Sequence, residues 1–108
     1  MSVTSSQTLD TLERVGTALA DPTRRRILLR LLDGPGYPAD LADELAAGRT
    51  NVSNHLACLR GCGLVRGTRE GRQVRYELAS PQLAAALSTL VDLELDVERH
   101  HADLDGRD

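Results

Sequence analysis

Apolar residues recur along the first half of the chain at steps of three and four, and this spacing predicts helices. The first predicted helix spans roughly 12 residues and carries its apolar stripe from Leu9 to Leu19. A second helix is predicted after Asp21-Pro22, which is typical of an N-cap followed by proline at the first helical position. This second helix is expected to end at the Gly-Pro-Gly of residues 34–36.

Two short helices separated by a glycine are predicted next. One begins at Pro38, Gly48 interrupts the pattern, and the other covers residues 51–62. The buried face of this fourth helix is predicted to consist of Val52, Leu56 and Leu59. Two short helices joined by a tight turn form a helix-turn-helix, which we place at residues 37–62.

The apolar period then changes to two, which predicts strands. Residues 64–66 and 74–78 are the predicted strands, and residues 69–72 form the turn between them. This hairpin, at residues 64–78, would be the wing that follows a helix-turn-helix. The expected fold is mainly α with a small β-hairpin, a single winged helix-turn-helix domain over residues 1–108.

A last helix is predicted after Ser80-Pro81 and is expected to extend over residues 81–102. Its inward positions are predicted to be Leu83, Leu87, Leu90 and Val91. The first and last helices carry more apolar surface than a 108-residue monomer easily covers. We therefore expect a homodimer that forms through helices at about residues 8–20 and 81–102.

Charge is distributed unevenly along the chain, although its net value is only −3. Residues 48–78 hold six arginines against two glutamates, whereas residues 79–108 hold seven acids against two arginines. A basic middle and an acidic tail indicate two surfaces with different tasks. Aromatic residues make up only 2% of the chain, which excludes aromatic platforms that stack on bases.

The start of the fourth helix is the candidate DNA-reading surface, because the second helix of a helix-turn-helix enters the major groove with its N-terminal residues. Arginine reads guanine edges, asparagine reads adenine, and serine and threonine suit phosphates. At the hairpin tip, arginines are expected to reach a DNA backbone or a minor groove. The predicted DNA-binding residues are Arg49, Thr50, Asn51, Ser53, Asn54, Arg69 and Arg72.

The only two cysteines are four residues apart on the fourth helix. At this spacing the Cβ atoms of Cys58 and Cys62 are about 5–6 Å apart, whereas a disulfide needs about 3.8 Å. Two cysteines on successive helical turns can both bind one tetrahedral ion through their thiolates, and the other ligands must come from elsewhere. Metal ligation, redox sensing and inert packing are the three interpretations of this pair. Nearby His55, at the edge of the buried face, is interpreted as a hydrogen-bonded packing residue rather than a ligand.

Five stretches of the chain resemble the ArsR/SmtB family of bacterial metal-responsive repressors. They are residues 20–28, 51–56, 59–60, 63–65 and 70–72 with Tyr76. The resemblance implies a homodimer joined by its first and last helices, a pair of winged helices on a palindromic double-stranded operator, and release of that DNA when an inducer binds.

Residues 58–63 are similar to the cadmium and lead sensors of the CmtR type within this family. That resemblance implies that Cys58 and Cys62 bind the metal together with a third cysteine from the C-terminal tail. This tail has no cysteine and offers instead His100, His101 and Asp103. Such a site is harder than one made only of sulfur, which favours zinc and keeps cadmium and lead as candidates.

Other functions lack support in the sequence. No glycine-rich phosphate loop, Ser/His/Asp constellation or zinc-protease motif is present, so an enzyme is not expected. No apolar run is long enough to span a membrane and no signal peptide is apparent, so we expect a cytoplasmic protein. The alternative to a metal sensor is a repressor of the same fold that responds to thiol oxidation or to a small molecule.

Overall fold

The computed structural model describes residues 5–97, which form five helices and one two-stranded antiparallel sheet. Helices α3 and α4 form the helix-turn-helix and strands β1 and β2 form the wing, so the predicted winged helix-turn-helix is confirmed. The elements are α1 (Ser6–Leu19), α2 (Pro22–Leu31), α3 (Pro38–Leu45), α4 (Arg49–Gly61), β1 (Val65–Glu70), β2 (Gln73–Leu78) and α5 (Pro81–Val91).

Local capping explains where two of the helices begin. The side chain of Asp21 accepts a hydrogen bond from the backbone N–H of Arg24 at 3.0 Å, and proline follows at the first helical position. At α5 the Ser80 hydroxyl accepts from the N–H of Leu83 at 3.1 Å. Each cap satisfies an N–H that has no partner inside its helix. The predicted starts of α2 and α5 are therefore confirmed.

One apolar core joins all the helices to the wing. The predicted buried face of α4, formed by Val52, Leu56 and Leu59, is confirmed, since each of these side chains is 0% exposed. The remaining core residues are Ala18, Ile27, Leu28, Leu31, Leu41, Ala42, Leu64, Val65, Tyr76, Leu78 and Leu87. Burial of one side of α4 leaves its opposite side to solvent.

The wing is longer than predicted and is attached to the rest of the domain. Its strands run to the two-residue turn at Gly71, whose φ of +61° suits a residue without a Cβ. Gly36 and Tyr76 exchange two backbone hydrogen bonds of 2.9 and 2.8 Å. Residues 34–36 therefore do more than end α2: Gly36 also pairs with β2.

The last helix is shorter than predicted. It ends at Val91, and residues 93–97 have no regular secondary structure. Acidic residues follow the helix, where the negative end of the helix dipole disfavours them. Leu90 and Val91, which were predicted to face inward, are 44% and 54% exposed, because the elements within residues 5–97 cover them only in part. Residues 98–102 of the predicted helix lie outside the described range.

Candidate nucleic-acid interface and cysteine pair

The first two turns of α4 present the polar residues that the sequence singled out. Val52, which lies between two of these residues in sequence, is fully buried, and its burial fixes the rotation of the helix about its axis. The polar side chains therefore point away from the core into solvent. The exposed residues here are Arg49, Thr50, Asn51, Ser53 and Asn54.

The N-terminus of α4 is open to an incoming anion. Its N-cap is Gly48, and no side chain within residues 5–97 caps this end. The first N–H groups of the helix have no partner within it, and they lie at the positive end of its dipole. Such an end is suited to a phosphate.

The arginines of the wing fall into two groups. Arg69 and Arg72, at the tip, are exposed, and neither is paired with a carboxylate among the described residues. Arg66, further down the hairpin, lies 3.6 Å from the carboxylate of Glu77. The two arginines predicted to bind DNA are therefore available to an external anion.

A polar cluster that sequence reasoning missed holds the tip end of the wing, where β1 meets the turn. The hydroxyl of Tyr37 donates to Glu70 at 2.6 Å, and Nε of Arg75 lies 3.1 Å from the same carboxylate. The hydrogen bond to Glu70 raises the pKa of Tyr37, so the phenol remains a donor. Tyr37 and Glu70 are 33 residues apart, and no local spacing signals their contact.

A cleft of about 310 Å³ lies between α4 and the wing. Arg49 and Ser53 line it from α4, and Arg72 and Gln73 line it from the turn and β2. Tyr37, just before α3, lies on the same cleft. The fold thus brings three of the predicted DNA-binding residues to one groove, while the remaining four lie exposed on α4 and at the wing tip.

The two cysteines lie at the opposite end of α4. The N–H of Cys62 donates to the carbonyl oxygen of Cys58 at 3.0 Å, so they occupy successive helical turns as predicted. Both thiols are free and half-buried. Cys62 lines a second cleft, of about 270 Å³, together with residues of α1 and α5 that include Arg14 and Leu83.

Helix α1 contacts this end of α4 directly. The guanidinium of Arg14 donates to the carbonyl oxygen of Gly61 at 3.3 Å and is paired with Asp10 at 2.9 Å. Cys62 is therefore next to the first helix as well as at the end of α4. A displacement of Cys62 would therefore act on both α1 and α4.

The described residues do not form a metal site by themselves. Within residues 5–97, no three His, Cys, Asp or Glu side chains are grouped closely enough to hold an ion. The predicted tail ligands His100, His101 and Asp103 lie outside the described range. Two thiols on successive turns suit a thiophilic ion, and such an ion needs further ligands from beyond these residues.

Comparison with known proteins identifies the family. The model of the arsR family of bacterial regulatory proteins matches residues 21–66, from the start of α2 into β1. The transcriptional regulator CmtR of Mycobacterium tuberculosis is 63% identical over 87 residues, which cover 81% of this chain and 74% of that protein. This chain belongs to the arsR family.

Further members of the arsR family and their structures agree with this assignment. A probable mercury resistance operon repressor of Streptomyces lividans is 39% identical over 69% of this chain and 60% of its own. The NMR structure of the M. tuberculosis cadmium metal-sensor CMTR is 61% identical, with a TM-score of 0.64 over 81% of this chain and 93% of that one.

A homodimeric winged helix-turn-helix DNA-binding domain from Mycobacterium bovis is 31% identical to this arsR-family chain. Its TM-score is 0.74 over 84% of this chain and 87% of that one. The protein is thus a CmtR-like, DNA-binding transcriptional regulator, as predicted, and the family assignment confirms that it is not an enzyme. None of the helices within residues 5–97 has the length and apolarity needed to cross a membrane.

Proposed function

We propose that this protein is a homodimeric repressor that binds a palindromic operator and releases it when a cadmium, lead or zinc ion binds. Support comes from its likeness to CmtR, a relative whose solved structure is described as a cadmium metal-sensor. The relatives indicate a metal ion as the signal, and the residues of this chain offer candidate groups that could bind it and the DNA.

The observation that carries the proposal is that two sets of candidate residues lie on one helix. The exposed polar residues proposed to read DNA occupy the first two turns of α4, and Cys58 and Cys62 lie at its other end. A helix is rigid over this length, so an ion that moves the cysteine end also reorients the DNA-reading end. Arg14 links the same end to α1, the proposed dimer helix.

The DNA contacts divide into base reading and backbone binding. In the proposal, Arg49, Asn51 and Asn54 contact base edges in the major groove, while Thr50 and Ser53 bind phosphates. Arg69 and Arg72 extend the contact from the wing to the backbone or a minor groove. The open N-terminus of α4 adds a place for one phosphate.

The metal site would combine Cys58 and Cys62 with tail ligands. His100, His101 and Asp103 are the candidate donors that follow the proposed dimer helix in sequence. A mixed site of sulfur with nitrogen or oxygen accepts zinc as well as cadmium and lead. The ion would lock the cysteine end of α4 to the tail and hence to the dimer interface.

The dimer would form through apolar side chains that a single protomer leaves exposed. On α1, Leu9 and Leu12 are 55% and 62% exposed, and Leu90 and Val91 extend the apolar surface on α5. Isolated exposed leucines are ordinary, but this concentration on two helices is typical of an interface. Two-fold symmetry would then present two copies of α4 to a palindromic site.

Titration of the reduced protein with cadmium, lead and zinc tests the metal site. We expect saturable thiolate-to-metal charge-transfer absorbance with cadmium and lead, and its loss in Cys58→Ser and in Cys62→Ser. Joint replacement of His100 and His101 by alanine should weaken metal binding if the tail supplies a ligand. A wild-type chain that binds none of the three ions, yet releases DNA when oxidised or when given a small molecule, would replace the proposal with that alternative.

A further inference from the structure

A hydrogen-bonded relay runs from the end of α1 through α2 to the middle of α4. Arg24 of α2 donates to the carbonyl oxygens of Thr17 and Ala18 at 2.7 and 3.2 Å. Its other terminal nitrogen lies 3.4 Å from Nδ1 of His55 on α4. One guanidinium therefore joins the C-terminal turn of the proposed dimer helix to the DNA-reading helix.

The contacts favour one tautomer of His55. A guanidinium has only donors, so a hydrogen bond from Arg24 requires Nδ1 of His55 to accept, which leaves the ring proton on Nε2. Nε2 faces the carboxylate of Asp21 at 3.6 Å, and that carboxylate also caps α2 through the N–H of Arg24. This tautomer presents an acceptor to the cation on one side and a donor to the anion on the other.

His55 is also suitably located for control of α4. It directly follows Asn54 and precedes the buried Leu56, and its side chain is only 18% exposed. Because the guanidinium fork holds two carbonyl oxygens of α1 while it contacts this ring, a shift of α1 is transmitted to α4 through fixed geometry. No other described side chain joins the α1 terminus to α4 in this way.

We propose that Arg24 and His55 are positioning residues for DNA recognition, which act as one unit and couple the orientation of α4 to α1. The inference rests on α4 as the DNA-reading helix and is independent of any metal. It goes beyond a packing role for His55, since it assigns the ring a required tautomer and a required partner.

A double-mutant cycle on operator affinity tests the coupling. Arg24→Lys keeps the charge but loses the fork, and His55→Leu keeps apolar bulk but loses both polar contacts. We expect each change to weaken operator binding about tenfold, and the double change to weaken it about tenfold as well, because either one breaks the same relay. Independent effects, with a loss of about a hundredfold in the double variant, would overturn the proposal.

Matched variants separate positioning from general damage. Arg25→Lys is the control, because Arg25 caps the carbonyl oxygen of Leu19 at 2.8 Å but is not part of the relay. We expect it to bind operator within about twofold of wild type and to combine additively with His55→Leu. His55→Gln, whose side-chain oxygen can accept from Arg24, should restore affinity to within about threefold of wild type.

A measurement without substitution guards against variants that fail to fold. Nitrogen-15 NMR of the wild-type ring at neutral pH should show a protonated Nε2 and an unprotonated Nδ1 in slow exchange. A ring with Nδ1 protonated, or one averaging between tautomers, would overturn the proposal. Wild-type operator affinity is measured in the same series, so failure of the proposed function is recognised separately.

Discussion

At the scale of single residues, the wing carries some arginines that are paired with a carboxylate of residues 5–97 and others that are not. Arg72 is exposed beside the cleft between α4 and the wing, whereas Arg66 lies against Glu77. An unpaired cation is available to a phosphate without first losing an internal partner. This difference makes the two arginines of one hairpin a matched pair for experiment.

Arg72→Ala should weaken binding to operator and to unrelated DNA alike and should lower the salt slope by about one, because one phosphate contact is lost. Arg66→Ala, the control, should leave both quantities nearly unchanged. Asn51→Ala should instead relax the preference at one base position. Fluorescence anisotropy at several salt concentrations measures all three, and an unchanged salt slope for Arg72→Ala would show that the wing does not bind phosphate.

Asp21 carries a pH-dependent contribution to stability. The backbone hydrogen bond from Arg24 lowers the pKa of Asp21 below its ordinary value of 3.8. A lowered pKa in the folded state stabilises the protein above pH 3.8, and that contribution is lost as the pH falls through the folded-state value.

Asp21→Asn isolates this effect, since asparagine also caps helices but does not titrate. Urea unfolding should find the variant less stable than wild type at about pH 6, with the difference shrinking as the pH approaches about 3. A difference that is constant over this interval would show that the charge of Asp21 contributes nothing to stability.

Exposure of the DNA-reading residues could be predicted at this scale, because the period of Val52, Leu56 and Leu59 defines the buried face of α4. Pairing could not be predicted. Tyr37 with Glu70, and Arg24 with His55, are joined by tertiary packing across 33 and 31 residues. Composition gives no information about such contacts.

At the scale of elements, helix starts were easier to predict than helix ends. Asp21-Pro22 and Ser80-Pro81 are local signals whose side chains cap the following helices. The end of α5 depends on what surrounds it, and the apolar pattern that continues to Val97 does not extend the helix of a single protomer. The backbone bridge between Gly36 and Tyr76 could not be predicted either, because the sequence around Gly36 is that of an ordinary helix end.

Two leucines of α5 that were both predicted to face inward differ in burial. Leu87 is 3% exposed and belongs to the core, while Leu90 is largely open. Leu87→Asp should therefore unfold the chain, because its charge would be buried in the core. Leu90→Asp should leave the chain folded but monomeric, because its charge would be buried only in the proposed dimer interface.

Sedimentation and circular dichroism at micromolar concentration distinguish these outcomes. Leu90→Met, which keeps the apolar volume, is the control and should remain a folded dimer. If Leu90→Asp stayed a dimer, the interface would lie elsewhere and the palindromic arrangement of the two α4 helices would need another basis.

At the scale of the whole molecule, α4 unites the proposed sensing and reading functions. Its N-terminus faces the cleft shared with the wing, and its C-terminus meets α1 through Arg14 and Gly61. The fold and the exposed polar face of α4 could be predicted because helical periodicity and caps are local. A complete metal site could not be predicted, since no three His, Cys, Asp or Glu side chains are grouped within residues 5–97.

The central claim is that the cysteine pair controls DNA binding. By linkage, an ion that weakens operator binding must itself be bound less tightly by the DNA complex, by the same factor. Couplings of about 1–3 kcal/mol are typical, or about 5- to 150-fold in affinity. The cysteines are not part of the proposed DNA contact, so their loss should abolish the response without changing the affinity of the metal-free protein.

The most direct measurement is operator affinity of the reduced dimer with and without cadmium, for wild type, Cys58→Ser and Cys62→Ser. The account predicts equal affinity of all three without metal, a loss of about 5- to 150-fold for wild type with cadmium, and no loss for either variant. Release of both variants by cadmium to the same extent as wild type would show that these cysteines are not the sensor.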